Sequence, residues 1–247
     1  LTDIKHLFSR SPLQPAYLDR DADPAAATVG EMEWVVVVEG VAEVGAEGDG
    51  TSGVSSHDAS SHGGFSYDNE RPRHRVWIPG GHLATRQVTV GEWRRFIDDG
   101  GYTRPDLWLS DGWAAVRAEG WEAPGYWRRD DDDTWTTFTL SGRRPVVDDE
   151  PVLHVSFYEA DAYARWAGAR LPTEFEWEVA TVGWEVRDEL DPARCHPRTA
   201  GERTIGGVWE WTASAYLPYP GFRTEDGAAG EYNGKFMSDQ HVLRGGS

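Results

Sequence analysis

Three short motifs fix where helices in this chain can begin, and the residues after them limit how long those helices can run. Thr89 with Glu92 in "TVGE", Ser156 with Glu159 in "SFYE" and Thr173 with Glu176 in "TEFE" each give the Ser/Thr-x-x-Glu pattern. There the hydroxyl accepts from the amide three residues on, and the carboxylate reaches back to the cap amide, so two N–H groups without intrahelical partners are satisfied together. Glu92, Glu159 and Glu176 therefore read as caps rather than as general bases. After the first box Trp93, Phe96 and Ile97 share a face until Gly100 and Gly101; after the second, Ala160, Tyr163, Ala164 and Ala167 run at i, i+3, i+4, i+7 until Gly168. Helices this short cannot cover a large core alone. With 13 tryptophans, 28 glycines and 14 prolines in 247 residues, the expected class is α+β and loop-rich, with aromatic rings supplying buried area.

Along the rest of the chain, "LTDIKHLFSRSPL" (1–13) reads as the end of a helix, with Ile4, Leu7 and Phe8 at helical spacing before Pro12. Residues 14–30 are rich in proline, aspartate and alanine and read as a linker, leaving 31–247 as the main domain. A helix end with no beginning, and leucine at position 1, predict a missing upstream helical domain. "EWVVVVEGVAEVG" (33–45) reads as a buried strand, since a β-branched run ending at glycine suits a strand better than a helix. Residues 46–64 read as a surface loop in which His57 and His62 are solvated, and Asp130 to Asp133 as a hairpin tip rather than a calcium loop.

Charge and motifs remove several functions. A net charge of −18 argues against a nucleic-acid or anionic-membrane partner, which needs a basic footprint. No run of about 18 apolar residues is present to span a bilayer. A single cysteine, Cys195, excludes an intramolecular disulfide and fits a reducing, cytoplasmic compartment. The glycine-rich nucleotide loops, the GxSxG elbow and HExxH are all missing. His196 adjoins Cys195, but neighbours in sequence rarely face one another, and His74 and His154 read as hydrogen-bonded structural residues. No metal-binding cluster can be assembled from the sequence.

That leaves "WEWTASAYLPYPGF" (209–222). Trp209 and Trp211 alternate with Glu210 as in a half-buried strand, and Pro218, Pro220 and Gly221 force a rigid loop after it. Tyr216 and Tyr219 are then either wedges with buried rings and wet hydroxyls, or one of them aims its hydroxyl into a cleft as a proton donor or substrate hydrogen bond.

"RLPTEFEWEVA" (170–180), "GGVWEWTASAY" (206–216) and the terminal "VLRGGS" (242–247) resemble signatures of the formylglycine-generating-enzyme domain, a modified C-type-lectin-like fold. "LWLSDGW", "APGYW", "PVLHVSFYEADAYARWAGARLPTE", "SAYLPYPGF" and "GEYNGKFM" are similar to one branch, the ergothioneine sulfoxide synthase family (EgtB). The resemblance implies a non-haem Fe(II) enzyme that uses O2 to join the sulfur of γ-glutamylcysteine, or cysteine, to the imidazole C2 of hercynine as a sulfoxide. It implies a DinB-like helical domain ahead of residue 1 that carries the iron-binding histidines, and no metal ligand within 1–247. The family's active-site tyrosine falls on Tyr216, as a proton donor steering oxygen away from simple thiol dioxygenation, and a second tyrosine near the substrate falls on Tyr219. Gly207 stands where related sequences usually carry Asp or Asn, Val90 stands where Asn is common, and residues 184–205 match poorly. The readings left beside it are a sibling synthase making 5-histidylcysteine sulfoxide or a selenium analogue, a formylglycine-generating enzyme, whose reactive cysteine pair Cys195 does not match, and a non-catalytic lectin-like binding module.

Overall fold

A computed structural model describes residues 2–18, 28–47, 66–186, 196–197, 201, 203–224 and 234–246. His57, His62 and Cys195 lie outside the described residues. The three capping boxes form as their sequences dictate. The backbone N–H of Thr89 donates to Glu92 at 2.8 Å, that of Ser156 to Glu159 at 2.6 Å and that of Thr173 to Glu176 at 2.8 Å, while each cap hydroxyl accepts the reciprocal amide. They open α2 (Val90–Asp98), α4 (Phe157–Trp166) and α5 (Glu174–Ala180). Two further helices are α1 (Thr2–Arg10) and α3 (Ser110–Glu119).

One core lies among α2, α3, α4 and the 3-10 turns at Gly101–Thr103 and Pro105–Leu107. Trp93 and Phe96 are fully buried there, and Trp93 stacks on Tyr163 with ring centroids 4.9 Å apart. The inward face of α4 keeps Tyr163 and Ala164 of the expected stripe, with Ala164 buried, but is centred on Ala162 and widened by Tyr158 and Trp166, while Ala167 is exposed. Large rings join the face because each removes more apolar surface from water than a methyl group does.

The run 33–45 is not one buried strand. It divides into β1 (Trp34–Val37) and β2 (Gly40–Val44), which pair antiparallel with β4 (Gly81–Ala84) and β3 (His74–Ile78). The register runs Val37 opposite Gly81 and resumes with Gly40 opposite Ile78, so Val38 and Glu39 face Pro79 and Gly80 at a break in the ribbon. Gly80 takes φ +77°, and a Cβ there would lie 3.2 Å from the Glu39 side chain. Side chains alternate across the ribbon: Val37, Val44, Ile78 and Leu83 point inward, while Val36, Val38, Val41 and Trp77 stay exposed. The inward face meets Trp177 of α5 in a second core.

Hairpins of β5 (Trp127–Arg129), β6 (Trp135–Thr139) and β7 (Gly142–Pro145) form a three-stranded sheet whose first turn holds the aspartate run. Arg128 pairs with Asp130 and Arg129 with Asp133, as suits a solvated tip. β8 (Glu185–Val186) and β9 (Thr204–Ile205) make a short parallel pair, and β10 (Trp209–Ala215) pairs with β11 (His241–Gly245) across a bulge between Trp211 and Ala215. The described parts of the 14–30 stretch are tied down, with the amides of Tyr17 and Leu18 both donating to the Leu140 carbonyl. α5 touches all four ribbon strands and both β10 and β11, so its N-terminus sits where the two β units meet the loop after β10.

Candidate functional site: the tyrosine loop after β10

Glu174 is the first residue of α5, and its own amide donates to Ser214 Oγ of β10 at 2.9 Å. Its carboxylate is buried and accepts from the Tyr219 hydroxyl at 2.7 Å and from Arg244 of β11 at 2.9 Å. Arg244 also donates to the Tyr219 hydroxyl oxygen at 2.8 Å and to Glu178, one turn further along α5, at 3.2 Å. Glu178 in turn accepts the Gly45 amide at 2.6 Å. A side chain at Gly45, where φ is +90°, would meet the Glu70 carbonyl at 3.0 Å and the Tyr219 ring at 3.3 Å, so the ribbon end can close over Tyr219 only with glycine there.

The two tyrosines have different surroundings. Tyr219, which the resemblance places beside the substrate, is turned inward at 6% exposure, its ring tilted against His74 at 4.4 Å and Phe175 at 5.8 Å. Burial raises its phenol pKa, with Arg244 opposing the rise and Glu174 adding to it. His74 has the structural role expected for it, with Nδ1 on the Pro72 carbonyl at 3.0 Å. Tyr216 follows β10 directly; its amide donates to the Gln240 carbonyl at 2.9 Å and its side chain is half-buried. Its phenol pKa is also raised, first by partial burial and then by the negative charges of Asp68, Glu174 and Glu70. The loop therefore holds one phenol locked in the interior and one with an open edge, and the second stays protonated across the neutral range.

The alternation of Trp209 and Trp211 appears as β10, with Trp211 Nε1 donating to the Val155 carbonyl at 2.9 Å. Between them Glu210 accepts from Gln87 and from Trp177, and its burial pushes its carboxyl pKa up. Gly207 takes φ +81°, a left-handed conformation that glycine adopts without strain and that Asp and Asn tolerate better than most residues. A second polar cluster gathers where α1 docks: Lys5 donates to His154 Nε2 at 2.5 Å, and His196 lies 3.1 Å from Glu150, which also binds Arg144. Burial lowers His154 to about 3 and Lys5 to about 8, and each lowers the other or is lowered by a neighbouring cation. Lys5, not Leu7, is the buried side chain of α1.

Among the described residues no group of three or more His, Cys, Asp and Glu could hold a metal ion, so the iron that the resemblance implies has no fitting site among them. Among those residues, too, no helix is long and apolar enough to cross a membrane. Sequence reasoning did not single out Glu174, Glu178 and Arg244. A signal was present: Glu174 and Glu178 stand four apart in "TEFEWE", on one helix face and away from the cap Glu176, as carboxylates awaiting a cation do.

Residues 20–204 match the family described as "Sulfatase-modifying factor enzyme 1-like domain". The chain is 41% identical over 215 residues to a hercynine oxygenase of Mycolicibacterium smegmatis, covering 74% of this chain and 49% of that protein. It is 40% identical over 212 residues to the hercynine oxygenase of Mycobacterium tuberculosis, covering 74% and 48%. Identity to the formylglycine-generating enzyme of Streptomyces coelicolor is 30% over 245 residues, covering 74% and 72%. The chain thus spans about half the length of the hercynine oxygenases it matches. With three quarters of its residues inside the family match and higher identity to hercynine oxygenases than to that formylglycine-generating enzyme, the chain belongs to the sulfatase-modifying factor enzyme 1-like family, on the side of it that resembles hercynine oxygenases.

Proposed function

We propose that this chain is the substrate-facing domain of an iron- and O2-dependent sulfoxide synthase that joins the sulfur of γ-glutamylcysteine or cysteine to C2 of hercynine. Tyr216 is its catalytic residue. Bound iron would supply oxygen activation and, on this reading, is held by histidines outside residues 1–247. The observation that carries the reading is the Tyr216 phenol, half-buried at the end of β10 and kept protonated by burial and by three carboxylates. A phenol in that state can hand a proton to a developing negative charge but cannot act as a base, and a rigid loop presents it at a fixed angle.

The test is O2 uptake by the iron-loaded full-length protein with hercynine plus either thiol. Wild type is expected to form the thioether sulfoxide, and Tyr216→Phe to lose on the order of 100-fold in that product, the usual scale for removing a positioned acid, with sulfinate from the thiol rising in its place. Absence of hercynine-dependent uptake with both thiols would remove the synthase reading.

A further inference from the structure

The reading of Tyr216 leaves open what aims its hydroxyl. The loop 216–222 departs from β10 with Leu217 exposed, and the side chain it buries is Tyr219, whose ring packs on His74 and Phe175. Pro218 and Pro220 restrict φ at two positions and are both exposed. Among the described residues its polar anchors include the Tyr216 amide on Gln240 and the Tyr219 hydroxyl, which donates to Glu174 and accepts from Arg244. Glu174 holds Ser214 of β10 through its amide and Arg244 of β11 through its carboxylate. One helix N-terminus therefore grips the strand before the loop, the strand paired with it, and the loop itself.

A tyrosine needed only for packing would be satisfied by one neutral partner. Tyr219 is instead set into a buried ion pair, whose desolvation makes it a poor source of stability relative to apolar side chains of the same volume. What such a pair does supply is direction: the carboxylate and the guanidinium of Arg244 leave the phenol oxygen one orientation in which it can both donate and accept. Only Leu217 and Pro218 separate the two tyrosines in sequence, so a shift of the Tyr219 hydroxyl is passed to Tyr216 with little slack. We infer that Tyr219, Glu174 and Arg244 form a positioning lock that sets where the Tyr216 hydroxyl points, and that Tyr219 acts through Tyr216 rather than on the substrate.

This inference rests on the proposed role of Tyr216, and the experiment separates the two. In the full-length protein Tyr219→Phe removes one oxygen and leaves the ring. It is expected to lower kcat roughly tenfold, leave KM for hercynine within about twofold, and add nothing further when introduced into Tyr216→Phe, because residues acting as a unit are non-additive. A raised KM with multiplying effects would make Tyr219 a substrate contact and overturn the lock; an unchanged kcat with a lowered Tm would reduce it to ordinary packing. Hydrogen exchange at the Tyr216 amide, expected to quicken about tenfold in Tyr219→Phe and in Arg244→Lys, reads the loop whether or not the enzyme turns over. Unchanged exchange in both variants would overturn the lock even if Tyr216 proves catalytic, whereas faster exchange in a protein with no hercynine-dependent turnover would uphold it and fail only the functional reading.

Discussion

At the scale of single residues, the carboxylates of this protein divide by what surrounds them. Glu176 is held below its usual pKa first by its hydrogen bond from Arg170, and Glu92 by bonds from Arg86 and Thr89 that outweigh the opposing effect of burial. Groups whose folded pKa is depressed contribute stability that is fully present above the unfolded value of about 4.5 and is lost as pH falls through the folded pKa. Glu159 and Glu210 behave oppositely, since burial raises both and their ionisation costs stability as pH rises from about 4.5 toward the folded pKa. Urea unfolding between pH 3 and 6 should therefore show a smaller acid loss in Glu176→Gln than in wild type. Thr173→Ala should cost about 1 kcal/mol at neutral pH, the usual worth of an N-cap. These caps were legible in the sequence because a capping box is local, with both partners within four residues. The partnership of Glu174 and Arg244, 70 residues apart, was not, because nothing local tells an arginine which distant carboxylates it will meet.

At the scale of elements, the places where the sequence misled are those where one-dimensional spacing cannot say which side faces inward. Four consecutive valines fit a strand buried on both faces as well as a strand with one open face; the break opposite Gly80 and the cover provided by α5 decide it. In α4 the inward face keeps Tyr163 and Ala164 of the expected stripe but centres on Ala162 and loses Ala167 to solvent. Gly101 was read as a helix stop, and the structure gives it a second duty. A Cβ there would lie 2.2 Å from the Phe96 ring, which is fully buried. Gly101→Ala should destabilise by about 1–3 kcal/mol, as overpacking does, measurable as a drop in Tm without loss of helix content. Phe96→Leu should relieve part of that cost in the double variant, since the two positions share one space.

For the whole molecule, the docking of α1 offers a test of how its parts are joined. His154 is held near 3 and Lys5 near 8, so protonation of the first, below about pH 6.5, works against the folded contact, and deprotonation of the second, above about pH 8, works in its favour. Tyr126, His6, Arg144, Glu150 and His196 surround the pair, and the cations among them push the same way. Hydrogen exchange in α1, corrected for intrinsic rates, should show more protection at pH 9 than at pH 5. Three enclosed arginines, Arg86, Arg144 and Arg244, are each turned onto a carboxylate, Glu92, Glu150 and Glu174, at 2.7–3.0 Å. With 24 lysines and arginines against 42 acids, enclosing three cations each with its own carboxylate leaves the whole excess of 18 negative charges on the remaining groups. The protein is in effect a polyelectrolyte with an ionic skeleton: added salt quiets repulsion among outer carboxylates separated by more than the screening length, about 10 Å at 0.1 M, while the sheltered pairs scarcely feel it. Sodium chloride raised from 0.05 to 1 M should lift its Tm, where a protein held together by surface ion pairs would melt sooner.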